Sequence, residues 1–452
     1  MSDWKQQLDD LVAPAVARSR HIDRILVDRD ALSLAGPVFR ECFGAERAFL
    51  IGDANTMAAA GARLDAVLQA DGIAVERMVL PSEPRPKPTL ALAQEVRARW
   101  QAAEGEAVPV SVGSGVITDL VKHAAFMEGQ PFFCVATAAS MDGYASAGAP
   151  LVDEGFKHTI PCAPPRAILA DLDVIAAAPA EMTGWGYGDL AGKVPAGGDW
   201  ILADALGVEP LDTVAWPLVQ DRLRDWLADP AALAAGDPAA TAGLFAGLTV
   251  TGLAMEFHGS SRPASGADHQ IAHLWEMENL SHDGQPVSHG ACVAVGTLAT
   301  LGLFDWLLDQ DLSRLDKDRV LAARPGPDAM EVAIRQAFPE PAVAERALAE
   351  TMSKLPSREV HAERLERIVK TWPALRSRLK AQLLSAAEMR RLLTAAGAPA
   401  SAGDIGLDPA RTKATVLRAR FMRRRYTVLD FLAETGLLAA AADAVFAAAA
   451  AP

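Results

Sequence analysis

AVPVSVGSGVITDLVKHAAFMEGQPFFCVA, residues 107–136, sets the fold class. Residues 107–112 read as an apolar strand. Gly113, Ser114 and Gly115 break it, residues 116–126 carry helical periodicity, and residues 132–136 are a second buried strand. Strand, tight turn, helix, strand is the unit from which parallel sheets are built. Outward from it the pattern repeats. Strands are expected at residues 24–27, 47–51 and 73–80, with helices at 55–70 and 89–103. Residues 81–88 hold four prolines and must be a loop. Beyond residue 171 the alternation stops, and Ala/Leu periodicity with Asp-Pro breaks runs to the end. The expected architecture is an α/β N-terminal domain with a parallel sheet, residues 1–178. An all-α C-terminal domain follows, residues 179–452.

The 452-residue chain is half apolar and carries 22% charged residues, enough for two sizeable cores. A net charge of -14 argues against a nucleic-acid binder or a ligand for anionic membranes. Cys42, Cys134, Cys162 and Cys292 form no CxxC pair, so a reducing cytoplasm is the expected compartment. The acidic, amphipathic N-terminus is unlike a signal sequence. The uncharged run 238–255, mostly Ala, Gly and Thr, reads as a packed core helix rather than a membrane span. Residues 312–408 are charged and helix-rich, and read as a surface layer poor in site-like residues.

Four stretches carry candidate chemistry. The Gly113-Ser114-Gly115 turn opens a helix, where backbone N–H groups and helix polarity suit a phosphate, although the same turn serves purely structural ends. Asp53 ends an earlier strand and suits either a ribose contact or a helix cap. Residues 135–150 bring Thr137, Ser140 and Asp142 just beyond a buried strand, where open α/β sheets bind ligands, and Asp142-Gly143 equally suits a turn. Lys157 follows, a candidate for an anionic substrate or a solvated surface lysine. Residues 184–193, GWGYGDLAGK, crowd glycines around Asp189. Residues 258–277, HGSSRPASGADHQIAHLWEM, place Ser260, Ser261 and Arg262 in a small-residue loop before a helix. On that helix His269 and His273 lie at i and i+4 on one face. His289 comes 20 residues after His269. Asp189, His269 and His289 together make a donor set suited to a divalent Lewis acid. Arg262 has two readings, a phosphate ligand or a brace for its own loop.

At this point the residues resemble a known family. GSGVITD, ATAASMDGY, GFKHTIPCAPPRAILADLDV, GYGDLAGK with Asp199-Trp200 after it, SSRPASGADHQIAHLWEM, VSHGACVAVGT and RRRYTVLDFLAETG are similar, in that order, to segments of the sn-glycerol-1-phosphate dehydrogenases. That family sits within the superfamily of iron-containing alcohol dehydrogenases and dehydroquinate synthases. The resemblance implies a dehydroquinate synthase-like fold with an N-terminal nucleotide-binding domain, a helical domain and a cleft between them. It implies NAD or NADP, one divalent metal (zinc, with nickel or iron as alternatives) and reduction of dihydroxyacetone phosphate. Carried over, metal ligands fall on Asp189, His269 and His289, and the diphosphate turn on Gly113, Ser114 and Gly115. The nicotinamide and substrate loop falls on residues 137–142, with Asp142 near the reacting polyol and His273 facing the substrate. Asp142, His273 and Lys157 are the expected catalytic groups. Asp53, Thr137 and Ser140 are expected at the cofactor, and Asp142, Ser260, Ser261 and Arg262 at the substrate. A homo-oligomer with no membrane span is expected. The Pro-rich 81–88 segment and Ala291 after His289-Gly290 depart from the family pattern. A glycerol or other polyol dehydrogenase, or a non-catalytic metabolite-binding homologue, are the competing expectations.

Overall fold

The structure is a computed structural model and describes residues 3–153 and 156–447. Its central feature is a six-stranded, wholly parallel sheet. The strands are β1 (Arg24–Asp28), β2 (Arg47–Asp53), β3 (Ala74–Leu80), β4 (Val108–Gly113) and β5 (Phe133–Ala136). The last, Ala167–Asp171, is β8, because an antiparallel pair intervenes: β6 (Ala149–Asp153) and β7 (Phe156–Ile160). The order across the sheet is β1-β8-β5-β4-β2-β3. The β6–β7 pair was not among the expected strands, although Val152, Thr159 and Ile160 are strand-favouring residue types. Five of the six parallel strands lie where apolar runs put them, because both faces of a parallel sheet are covered and select continuous apolar sequence, whereas β8 (Ala167–Asp171) was not among the expected strands.

By backbone contacts the chain groups into two compact units. The first is Met1–Leu190, Pro217–Ser260 and Ala395–Gly397, and the second is Ala191–Trp216, Ser261–Thr394 and Ala398–Pro452. The Pro238–His258 helix, expected with the helical domain, packs in the first unit against the Asp3–Val16 and Leu172–Ala176 helices. One face of the sheet is sealed by Leu32, Phe39, Leu64 and Leu68 against Leu50, Val110, Phe133 and Leu169. Phe39, Phe43 and Phe133 meet with centroids 5.3–6.3 Å apart.

The second unit is helical apart from the two-residue strands Ser281–His282 and Gln285–Pro286 among its described residues. Its central pair is the Ala267–Met277 helix against the His289–Leu308 helix. Their approach is tight at Gly296, where an added Cβ would lie 2.5 Å from the Asp268 carbonyl oxygen. Two helices, Pro238–His258 and His289–Leu308, are long and apolar enough to cross a membrane. Both are mostly buried within the protein, as core helices are. The 312–408 region does more than coat a surface. Leu365, Ile368, Trp372, Leu375 and Leu379 on the Arg358–Gln382 helix are all buried.

Asp199 ties the second unit together. It is fully buried on the Lys193–Ala205 helix. One carboxylate oxygen accepts the Ala267 N–H (2.7 Å), and the other accepts the Val428 N–H (2.6 Å). Those amides open the Ala267–Met277 and Val428–Glu434 helices, and would otherwise be unsatisfied. Burial pushes the Asp199 pKa up to about 7, against the pull of these two N–H donors and of Arg262.

Two predictions follow from these contacts. An alanine at Gly186 would set its Cβ 1.8 Å from the Ala139 carbonyl oxygen in the first unit. Gly186→Ala is expected to destabilise by about 3 kcal/mol, read as a shifted denaturant midpoint. Asp199→Asn turns one acceptor into a donor facing an N–H, and is expected to cost about 2–3 kcal/mol at pH 8. The sign of the pH effect is fixed by the raised pKa. Stability drawn from protonating Asp199 is present below its unfolded pKa and is lost as pH rises through about 7. Urea titrations from pH 4 to 8 should show that component in the parent protein and its loss in Asp199→Asn.

Candidate functional site

In the first unit, the sheet reverses its direction of winding between β2 and β4. From β2 the chain goes to β3 on one side, and from β4 to β5 on the other. The register pairs Ile51 with Ser111, so Asp53 and Gly113 end neighbouring strands at the same edge. Such a switch point is where open α/β sheets hold ligands. Gly113 has no room for a side chain, since a Cβ would sit 2.7 Å from Ile117 Cβ. The turn therefore runs tightly into the Gly115–Met127 helix, whose first N–H groups have no partner within the helix. Asp53 caps its own helix. Its Oδ1 accepts the Thr56 N–H (2.9 Å), and Thr56 Oγ1 accepts the Asp53 N–H (3.0 Å).

The next loop is fastened to this turn. Thr137 N–H donates to the Gly113 carbonyl (3.2 Å), and the Ser114 and Ser140 hydroxyls lie 2.5 Å apart. The buried Tyr144 hydroxyl donates to the Ala138 carbonyl (2.7 Å). Asp142 N–H donates to Asp189 Oδ2 (3.0 Å), so the carboxylate on the Ala180–Ala191 helix reaches the same loop. The structure thus brings Gly113, Ser114, Gly115, Thr137, Ser140, Asp142 and Asp189 into one neighbourhood. Lys157 lies on β7, and its side chain is outside those described.

Sequence reasoning passed over Lys122. Its ammonium is fully buried and donates to the carbonyls of Gly143 (2.8 Å), Ser146 (3.1 Å) and Gly148 (3.1 Å). Asp119 lies 3.6 Å away. Three carbonyls on one ammonium hold the far half of the loop that follows Asp142. The sequence signal was a lysine inside an otherwise buried helix face.

In the second unit, three imidazoles converge. The centroids of His269 and His273 are 5.8 Å apart, of His269 and His289 5.3 Å, and of His273 and His289 5.5 Å. His269 Nδ1 lies 2.5 Å from Asp268 Oδ2, and His289 Nδ1 is hydrogen-bonded to Glu276. His273, Glu276 and His289 present ligand atoms within 4.8 Å of one another. A carboxylate on one ring nitrogen fixes the tautomer and turns the other outward, as in histidines that bind metal. These two carboxylates were also passed over. Glu276 was findable, since it lies seven residues after His269 and so shares its helix face.

Arg262 takes the second of its two readings. Its side chain is fully buried, with NH1 on the Tyr426 carbonyl (3.0 Å) and NH2 on the Asp199 carbonyl (3.1 Å). Nε lies 3.2 Å from Glu209, and the guanidinium stacks 5.7 Å from the Trp200 ring. A guanidinium so engaged is a brace, which corrects its expected place at the substrate. The hydroxyl loop instead meets Arg425, whose NH2 donates to Ser261 Oγ (2.9 Å) and NH1 to the Ser265 carbonyl (2.7 Å). Burial, then the neighbouring Arg262 and Arg423, pushes the Arg425 pKa down to about 9. Arg423 NH2 lies 3.5 Å from His273 Nδ1. Ser260, at the end of the first unit, pairs with His258 Nδ1 (2.9 Å).

Residues 26–179 match the family described as iron-containing alcohol dehydrogenase. The glycerol-1-phosphate dehydrogenase [NAD(P)+] of Bacillus velezensis is 38% identical over 247 residues, 54% of this chain and 62% of that protein. The chain thus spans less than two thirds of that relative's length. The enzyme of the same name from Halalkalibacterium halodurans is 33% identical over 63% of this chain and 71% of its own. That from Thermofilum pendens is 32% identical over 64% and 80%. Among solved structures, a probable glycerol dehydrogenase from Sinorhizobium meliloti superposes with a TM-score of 0.57 at 17% identity, covering 94% of this chain and 98% of the other. Maleylacetate reductase from Agrobacterium tumefaciens gives 0.55 at 15%, covering 92% and 95%. The fold is therefore that of the iron-containing alcohol dehydrogenases, and the chain belongs to their glycerol-1-phosphate dehydrogenase family.

Proposed function

We propose that this chain is a metal-dependent dehydrogenase that reduces dihydroxyacetone phosphate to sn-glycerol 1-phosphate with NADH or NADPH, reversibly. The observation that carries the reading is the pair His269 and His289, each with Nδ1 held by a carboxylate, in a chain of this family. Asp189, His269 and His289 would hold the metal, and nitrogen and carboxylate donors suit zinc first, then nickel or iron. When bound, the ion stabilises negative charge developing on the substrate's C2 oxygen, and the nicotinamide supplies hydride.

The chain's own residues do the rest. The Gly113-Ser114-Gly115 turn and the first N–H groups of its helix receive the cofactor diphosphate, with Asp53 at the ribose. Thr137 and Ser140 orient the nicotinamide. Asp142, fastened through its N–H to Asp189, accepts a substrate hydroxyl. His273 has Nδ1 toward a guanidinium, which leaves an N–H on Nε2 to donate a hydrogen bond to the substrate oxygen or to the water that protonates it. The phosphate falls to Ser260, Ser261 and Lys157, with Arg423 as the cation beside His273 in place of Arg262. Arg423 is also the feature that favours a phosphorylated substrate over glycerol or another free polyol.

Three outcomes test this. Purified protein should contain about one divalent ion per chain and oxidise NADH or NADPH on dihydroxyacetone phosphate, with a product of sn-1 configuration. His269→Ala should lose both the metal and at least about a thousandfold in kcat, since ligand loss removes the charge stabilisation. Full activity with unchanged metal content in that variant sinks the assignment. Arg423→Met should raise KM for dihydroxyacetone phosphate by about 10–100-fold, the worth of one charge-assisted contact. Slow turnover of unphosphorylated dihydroxyacetone should be untouched, and an equal loss on both substrates would remove Arg423 from the phosphate.

A further inference from the structure

The second unit contains a cavity of about 320 Å³ outside the histidine cluster. It is walled by the 317–325 segment, the ends of the Pro341–Lys354 and Arg358–Gln382 helices, residues 420–426 and the Val428–Glu434 helix. Much of that wall belongs to the 312–408 region. The volume is at the lower end for small-molecule sites, and the wall combines apolar side chains with a few convergent polar groups.

Its charges do not cancel. Four cations line it, Arg319, Arg324, Lys354 and Arg420, against two carboxylates, Asp430 and Glu434. Both carboxylates are already engaged. Lys354 Nζ sits 2.7 Å from Asp430, while Glu434 meets Arg364 at 2.5 Å and the Tyr426 hydroxyl at 3.0 Å. Lys354 also donates to the Arg420 carbonyl (2.7 Å). Arg319, Arg324 and Arg420 form no ion pair with a described residue. Arg420 stacks 4.5 Å from the Phe421 ring and has as its hydrogen-bond acceptor Met330 Sδ at 3.5 Å, a weak acceptor for a cation. Burial holds its pKa below the usual arginine value, so the site disfavours the very charge it carries.

A second group points the same way. His361 is 3% exposed, and its Nε2 lies 2.8 Å from the Glu434 carbonyl. That bond puts the ring proton on Nε2, which makes Nδ1 an acceptor. Nδ1 is buried and has no partner. Buried polar atoms without partners are uncommon and call for an explanation, a ligand among them. A guanidinium whose neighbouring carboxylates, Asp430 and Glu434, are paired with Lys354 and Arg364, and a histidine acceptor without a donor, in one small cavity, describe complementary halves of one ligand.

We propose that this cavity is a binding site for a small organic oxyanion, a carboxylate or phosphate monoester on a compact body of a few carbons. The Arg420 guanidinium takes the anionic oxygens, with Arg324 nearby. Val320, Met330, Leu355 and Phe421 cover the apolar body. His361 Nδ1 accepts from a hydroxyl or amine of the natural ligand. The site is independent of the dehydrogenase reading, since no residue assigned to that chemistry lines it.

The test is a titration of the intact protein, labelled with 13C-methyl methionine, by 3-methylbutanoate and separately by inorganic phosphate. The Met330 resonance, assigned from Met330→Leu, reports on the cavity directly and needs no enzymatic activity. A saturable shift of the Met330 methyl with 3-methylbutanoate and none with the isosteric neutral 3-methylbutanamide is expected. Arg420→Gln should weaken the apparent affinity at least tenfold. Saturation by inorganic phosphate alone would assign the site to a phosphate monoester, and saturation by 3-methylbutanoate alone to a carboxylate. Equal binding of acid and amide to the parent protein overturns the proposal whether or not Arg420→Gln folds. Lack of a saturable Met330 shift with either anion overturns it as well.

Discussion

The second unit depends on one buried carboxylate. Asp199 receives the opening amides of two helices, and Arg262 takes the Asp199 and Tyr426 carbonyls with its two terminal nitrogens. Helix openings are the points where a buried helix is hardest to satisfy, because four N–H groups lack internal partners. Asp199 solves two of them with one side chain. The constraint reaches the candidate chemistry, since the Ala267 amide begins the helix that carries His269, His273 and Glu276. The cost is visible in the carboxylate itself, whose pKa burial pushes up to about 7. Stability and site geometry are thus set by the same hydrogen bonds.

The close contact of Gly296 with the Asp268 backbone has a similar double role. Two helices that approach this tightly hold His269 and His289 at a 5.3 Å centroid separation through their own packing. Each histidine then needs its ring turned, and Asp268 and Glu276 do that from the helix His269 itself occupies. Placing ligands and their orienting carboxylates on helices favours precision over adaptability.

How much of this was legible in the sequence depended on whether a role is local. Five strands of the parallel sheet and the Gly113-Ser114-Gly115 turn were readable, because apolar runs and glycine breaks act within a few residues. The histidines were readable through their helix spacing. β8 and the β6–β7 pair were not, and the loop before β6 is held by Lys122, a partner more than 20 residues away in sequence. Arg262 and Arg425 show the limit best. Both are arginines near a hydroxyl loop, and only tertiary placement separates the brace that faces carbonyls from the one that grips Ser261 and Ser265. Lys122 and Asp199 were hidden for the same reason, because a buried charge is defined by partners distant in sequence.

Residues 420–426 connect these themes. One side of the segment gives Arg420, Phe421 and Tyr426 to the cavity, and the other gives Arg423 to His273 and Arg425 to the hydroxyl loop. Cations so close together on one short segment repel each other, and burial raises that cost. Arg425 carries it openly, with its pKa pushed down to about 9 by burial and by Arg262 and Arg423. Hydroxyls and carbonyls satisfy its donors but not its charge. Burial is the first cause of the lowered pKa in Arg420, Arg423 and Arg425 alike, so the segment carries its charge at a desolvation cost that an anionic ligand on either side would reduce. The sequence RRRY therefore has a physical reading that a tally of its charges on a chain of net charge -14 would miss.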